Sequence, residues 1–186
     1  MPSHHTLRKK AKAKREKFIK NLNTGRFEGK FYLEWIAPDL FRYHPDPDDP
    51  FRFIRHDKDG NEIETVEPKE METDGGSIPR IVWALPGFSP WEYGPAYMLH
   101  DWEFEAHDLA QNDPDFTFDK SFEEVNLTLA EAIWTLMNVG YLDYPKPKVR
   151  KETLVQPHPW TPWTWGILGF CNVGVLSPIA KEMWER

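Results

Sequence analysis

The sequence predicts an α+β domain, and three observations carry that expectation. Large apolar side chains are plentiful, with 40% hydrophobic residues that include 9 Trp and 12 Phe, so enough surface can be buried to offset chain entropy. Seventeen Pro and 11 Gly are spread along 186 residues, which favours short elements joined by turns over a helical bundle. The pattern also changes along the chain, from strand-like runs after residue 30 to helical periodicity after residue 94. The expected architecture is a small antiparallel sheet or set of hairpins over about 30–85, packed on two helices at about 95–111 and 121–139. An irregular, aromatic-rich C-terminal segment follows. At this length one domain is expected over 26–145, flanked by a basic arm or helix over 1–25 and a Pro/Trp-rich segment over 146–186 that packs on the core or on a partner.

The arm, TLRKKAKAKREKFIKNLN, reads as an exposed basic helix or a disordered tail. Its apolar residues Ala11, Ala13, Phe18, Ile19 and Leu22 offer no continuous stripe to bury. Residues 1–20 hold eight Lys or Arg against one Glu, which leaves 15 basic against 29 acidic residues elsewhere, a net of −14. An acidic body disfavours broad nucleic-acid binding, so any contact with nucleic acid or an acidic surface is expected through residues 7–20. A solubilising tail is the simpler reading of the same charge run. No apolar region follows the positive N-terminus, so it is not read as a secretory signal. Cys171 is the single cysteine, which precludes an internal disulfide and fits a reducing compartment.

KFYLEWIA and FRFIRH are rich in aromatic and branched residues and read as strands. EIETV follows the turn-forming DKDGN, so 51–66 reads as a β-hairpin. HPDPDDP is expected to be a loop, because proline removes ladder donors. DKDGN also opens like a calcium-binding EF-hand loop, yet Glu62 stands where the glycine is needed and Pro68 where the closing carboxylate belongs. A plain turn is the better reading.

GPAYMLHDWEFEAHDLA is the first helix after the strands, with Gly94 near the cap and Pro95 at the first helical position, ending before NDPD. The second opens on SFEE, where Ser121 and Glu124 have capping-box spacing, and runs to Gly140. Phe122, Val125, Leu129, Ala132, Ile133 and Leu136 mark its apolar face. Between Glu152 and Lys181 there is no charged residue, but Asn172, Ser177, Pro178 and three glycines suit packed loops better than a bilayer span. Membrane contact is the minor reading.

Two polar stretches stand out, TDGGSIPR at 73–80 and LHD at 99–101. In the first, Asp74 can accept a backbone N–H two residues on, the paired glycines permit positive φ, and Pro79 fixes the exit. Such a turn explains itself structurally, yet its glycine N–H groups and Arg80 also suit an anion or a developing oxyanion. On the helix, His100, Glu103, Phe104 and His107 share one side, opposite Met98, Leu99, Trp102, Ala106 and Leu109. His100, Glu103 and His107 have metal-ligand spacing, although an ordinary solvated face, with Asp101 favoured by the helix dipole, is the preferred account of Glu103 and His107. Adjacent His100 and Asp101 point about 100° apart, so each must serve a different neighbour.

The succession TDGGSIPRIVW, YGPAYMLHDWEFE and FEEVNLTLAEAIWTLMNVG resembles the bacterial and phage domain-of-unknown-function family 1353 over roughly residues 30–140. The resemblance implies a compact α+β domain of phage or prophage origin, located in the host cytoplasm and in the virion if it is a structural component. Members often carry an aspartate where this sequence has Asn126.

Two functions are expected from these features. The first is a hydrolase-like site with His100 as general base, Asp101, Asp74, Arg80 and Ser77 around it, and a divalent metal as an optional cofactor with Asp101, Glu103 and His107 as its weak candidate ligands. The alternative is a non-enzymatic virion or assembly component that docks on other phage structural proteins through its basic arm and uncharged aromatic C-terminal segment. In that case Asp74, Arg80 and Asp101 would form a buried bracing network.

Overall fold

A computed structural model of the chain describes residues 4–38, 40–74, 93–138 and 178–185. Within them the element order is α1 (His4–Asn21), β1 (Arg26–Glu28), β2 (Phe31–Ala37), β3 (Leu40–Pro45), β4 (Arg52–His56), β5 (Glu62–Val66), β6 (Met71–Thr73), α2 (Gly94–Asn112), α3 (Phe122–Asn138) and α4 (Pro178–Trp184). The strands form two antiparallel three-stranded sheets, ordered β1-β4-β5 and β2-β3-β6. The fold is α+β, as the composition and period changes predict.

The expected hairpin is β4 and β5, with Phe53 opposite Val66 and Arg55 opposite Glu64. Its turn is held by the Asp57 carboxylate, which accepts the N–H groups of Asp59 and Asn61 and the Asn61 side-chain amide. Gly60 supplies the positive φ of 85° that the turn requires. Those donors occupy the carboxylate that a calcium loop would have to offer to a cation.

Strands β1, β3 and β6 lie outside the sequence expectation. β1 and β6 have three residues each, too few to show a period. β3 extends into the HPDPDDP run, which was expected to be all loop: Pro45 is its last residue and pairs with Phe31 at the strand end, where a missing donor is tolerated. Asp46 then closes the loop by accepting the N–H groups of Asp48 and Asp49. Gly29, with φ 80°, lies so close to the Pro50 carbonyl that no Cβ would fit between β1 and β2.

Phe27, Phe51, Phe53 and Tyr43 are fully buried and bring both sheets into one core. The rings of Phe27 and Phe53 lie 4.7 Å apart, and Phe31 meets Phe51 edge-on at 5.1 Å. Burial of each such ring contributes roughly 1.5–3 kcal/mol. Leu99, Trp102 and Ala106 of α2 and Leu129, Ala132 and Ile133 of α3 complete the same core. The last turn of α1 joins it through Ile19, with Phe18 packed alongside.

Both helix starts follow from their caps. Pro95 occupies the first turn of α2, whose cap position is Tyr93. At α3, the Ser121 N–H donates to Glu124 Oε2 at 2.8 Å and the Glu124 N–H reaches back to Ser121 Oγ at 3.3 Å, a capping box. The predicted apolar face of α3 is buried at Phe122, Val125, Leu129, Ala132 and Ile133 and half-buried at Leu136. α2 packs on β6 and on α3, and α3 packs on β4. Those contacts decide which polar side chains meet.

Candidate functional site

The docking of β6 on α2 puts Thr73, the last residue of β6, against Asp101. The Thr73 hydroxyl donates to Asp101 Oδ2. Burial pushes the Asp101 carboxyl up to about 7; the Thr73 hydrogen bond opposes the rise and the nearby Asp74 charge adds to it. Asp74 itself is exposed. Asp101 is the eighth residue of α2, and the first turn holds no acid, so the helix dipole does not account for it, contrary to the sequence expectation.

His100 turns instead to α3. Its Nε2 lies 3.3 Å from Asn126 Oδ1, and the Asn126 amide nitrogen donates to the Phe122 carbonyl at 2.7 Å. That second bond fixes which way the amide faces, because only its nitrogen can donate to a carbonyl. The oxygen therefore points at His100, which must carry its proton on Nε2 and keep Nδ1 as the basic nitrogen. Burial pushes the imidazole down to about 4, with the Asn126 contact opposing the shift. The Phe104 ring, 4.7 Å from the imidazole, adds an apolar wall.

Between pH of about 4 and about 7, then, the neighbouring histidine and aspartate are both uncharged. They face separate partners on separate elements, as a 100° helical step requires. Ser77 and Arg80 lie outside the described residues.

A second polar cluster lies on α2 at Glu103, where a solvated face was expected. Glu103 has no exposed surface and pairs with Lys120. Lys120 also pairs with Glu64 at 2.7 Å and donates to the Thr128 hydroxyl at 2.9 Å. Arg55 reaches Glu64 at 2.7 Å and Glu131 at 2.8 Å. Two cations thus face three carboxylates. Burial raises the Glu103 carboxyl to about 7, with Lys120 opposing the shift and Glu64 adding to it. Burial also acts to raise Glu64, but Lys120 and Arg55 outweigh it and hold that carboxyl below its usual range.

His107 was also expected on a solvated face. It is half-buried instead, stacked on Trp184 of α4 with ring centroids 3.7 Å apart and its Nε2 3.1 Å from the Trp184 carbonyl oxygen. The candidate metal set therefore disperses: Asp101 meets Thr73, Glu103 meets Lys120 and His107 meets Trp184. Among the described residues no group of three His, Cys, Asp or Glu side chains is placed to hold a metal ion. A buried ion-pair network does join Arg55, Glu64, Glu103, Lys120 and Glu131; of the bracing network expected for Asp74, Arg80 and Asp101, Arg80 lies outside the described residues.

Residues 48–139 match the family described as Protein of unknown function (DUF1353). Over that span the chain belongs to the DUF1353 family. The DUF1353 span runs from the loop before β4 to the end of α3, so both polar clusters lie inside it and α1 to β3 lie outside. No curated protein and no solved structure matches the chain.

Sequence reasoning missed Thr73 and the ion network. Asn126 and Glu131 did leave a signal, since each is a polar residue among the apolar positions of α3. Arg55 left none, because three consecutive residues of β4, Phe53, Ile54 and Arg55, are all buried and the strand shows no alternation.

No described helix is long and apolar enough to cross a membrane. The aromatic stretch 153–177, on which the membrane and docking expectations rest, lies outside the described residues.

Proposed function

We propose that the DUF1353 domain is a hydrolase whose site is built around His100 and Asp101, with Asp74, Ser77 and Arg80 supplied by the TDGGSIPR loop. One observation carries the reading: a histidine and an aspartate, adjacent in sequence, have their proton affinities displaced in opposite directions by their surroundings. Such opposed displacement separates an acid from a base. His100, neutral above about pH 4 and with its Nδ1 unprotonated, takes the proton of an attacking water. Asp101, protonated up to about pH 7, delivers one to the leaving group. Ser77 and Arg80 bind and polarise the group under attack, the role that a fixed guanidinium fork and loop donors suit. A base this weak favours substrates with good leaving groups. Phage origin follows only from the family resemblance and is part of the proposal.

The test is hydrolysis of activated ester, phosphodiester and peptidoglycan substrates, with and without added divalent metal, by the wild type, His100→Ala and Asp101→Asn. A bell-shaped rate profile with limbs near 4 and 7 is expected in the wild type, with loss in both variants. Equal activity in the wild type and His100→Ala, or silence of the wild type on every substrate, sinks the proposal. Silence leaves the non-enzymatic assembly component as the working alternative.

A further inference from the structure

Helix α1 lies outside the DUF1353 span, and both polar clusters are built from residues inside it. Among its described side chains, Thr6, Lys9, Lys10, Ala13, Lys17 and Lys20 are exposed, while Phe18 and Ile19 at its end pack on the core. The helix has eighteen residues, His4–Asn21, and is about 27 Å long. Eight of them are Lys or Arg and one is Glu. At about 100° per residue, the basic positions leave no arc wider than about 100° around the axis. Leu7, Ala11 and Phe18 fall in that one arc.

This distribution selects a kind of partner. A helix that lies on an anionic membrane needs a broad apolar face opposite its charged one. Here the apolar arc is narrow, and Phe18, its last member within the helix, is turned to the protein's own core. A flat acidic surface would meet one side of the helix and leave the other cations unpaired. A groove with anions on both walls meets nearly all of them. The major groove of duplex DNA is such a groove, about 12 Å wide and edged by phosphates of both strands, and it admits one helix. Like charges repeat along α1 at Arg8 and Lys12, Lys10 and Lys14, and Lys17 and Lys20, so the free helix carries repulsion that phosphates would relieve. The body, at −14, repels DNA and leaves the arm as the contact.

We propose that α1 binds the major groove of duplex DNA through phosphate contacts on both flanks, without base specificity, independently of the chemistry at His100. The experiment is fluorescence anisotropy of the full chain with a labelled duplex of roughly 20 base pairs and random sequence. If about four phosphates are engaged, affinity should fall roughly 100-fold between about 50 and about 200 mM salt. A variant with Lys9, Lys10, Lys17 and Lys20 all changed to Gln should bind at least about tenfold more weakly, with a shallower salt slope, while the melting of the body is unchanged. No binding at low salt, equal binding by the variant, or tighter binding to phosphatidylglycerol vesicles or a poly-glutamate peptide than to the duplex overturns the proposal.

Discussion

Helix α2 carries two polar clusters within one turn, one at the fully buried Glu103 and one at the half-buried His100 and Asp101, and they differ in what surrounds the ionisable groups. Around Glu103 counter-ions are present: Lys120 and Arg55 enter among three carboxylates and bind α2, α3 and the β4–β5 hairpin together, although burial still raises Glu103 itself to about 7, as it does Asp101. At His100 and Asp101 the polar partners among the described residues are a hydroxyl and an amide, and both ionisable groups sit in their neutral forms around pH 5 to 6. The first arrangement is a brace, because removing Lys120 or Arg55 leaves the buried Glu103 or Glu131 without its cation. The second can give up or take a proton without stranding a partner ion, which is why the function is assigned there.

The comparison breaks first at Lys120. Changing Lys120→Met should cost roughly 3–5 kcal/mol in chemical denaturation, and the double change Lys120→Met with Glu103→Gln should recover much of it. If the double variant is no better than the single, Glu103 is not the charge that Lys120 compensates.

Asp101→Asn should act with the opposite sign. A carboxyl raised from 3.8 to about 7 by folding stays protonated in the native chain while the unfolded chain ionises, so the stability it contributes is complete below about 3.8 and is lost as pH rises to about 7. The asparagine avoids that loss, and the variant should gain about 4 kcal/mol on the wild type between about pH 4 and about pH 8. A gain that does not depend on pH counts against a suppressed charge. His100 has the mirror-image dependence. Its depressed pKa costs stability as pH falls from 6.5 to about 4.

Asn126→Asp should give the His100 cluster a counter-ion, as the Glu103 cluster has. A carboxylate facing Nε2 favours imidazolium, and the His100 pKa, followed by NMR, should rise from about 4 by at least about two units. The smallest effect should come from Ser121→Ala, which removes the cap of α3 for about 1 kcal/mol and leaves the titration of both clusters unchanged. A change in either titration would mean that the clusters depend on the stability of α3 as a whole.

What the sequence determined by itself was local. Pro95, the Ser121 and Glu124 pair and the DKDGN turn each act within four or five residues, and the helices and hairpin they imply are present. The apolar stripe of α3 was legible for the same reason, since its period is internal to the helix. The separation of His100 from Asp101 followed from the helical step alone. What only tertiary structure decided is which of the remaining polar residues are wet. Glu103 and His107 share a side of α2 that periodicity assigns to solvent, but α3, the segment carrying Lys120 and α4 cover it. α2 is packed on two sides, so a one-face rule fails for it. Ion pairs such as Arg55 with Glu131, 76 residues apart, depend on how β4 docks on α3, and no periodicity along the chain encodes that approach.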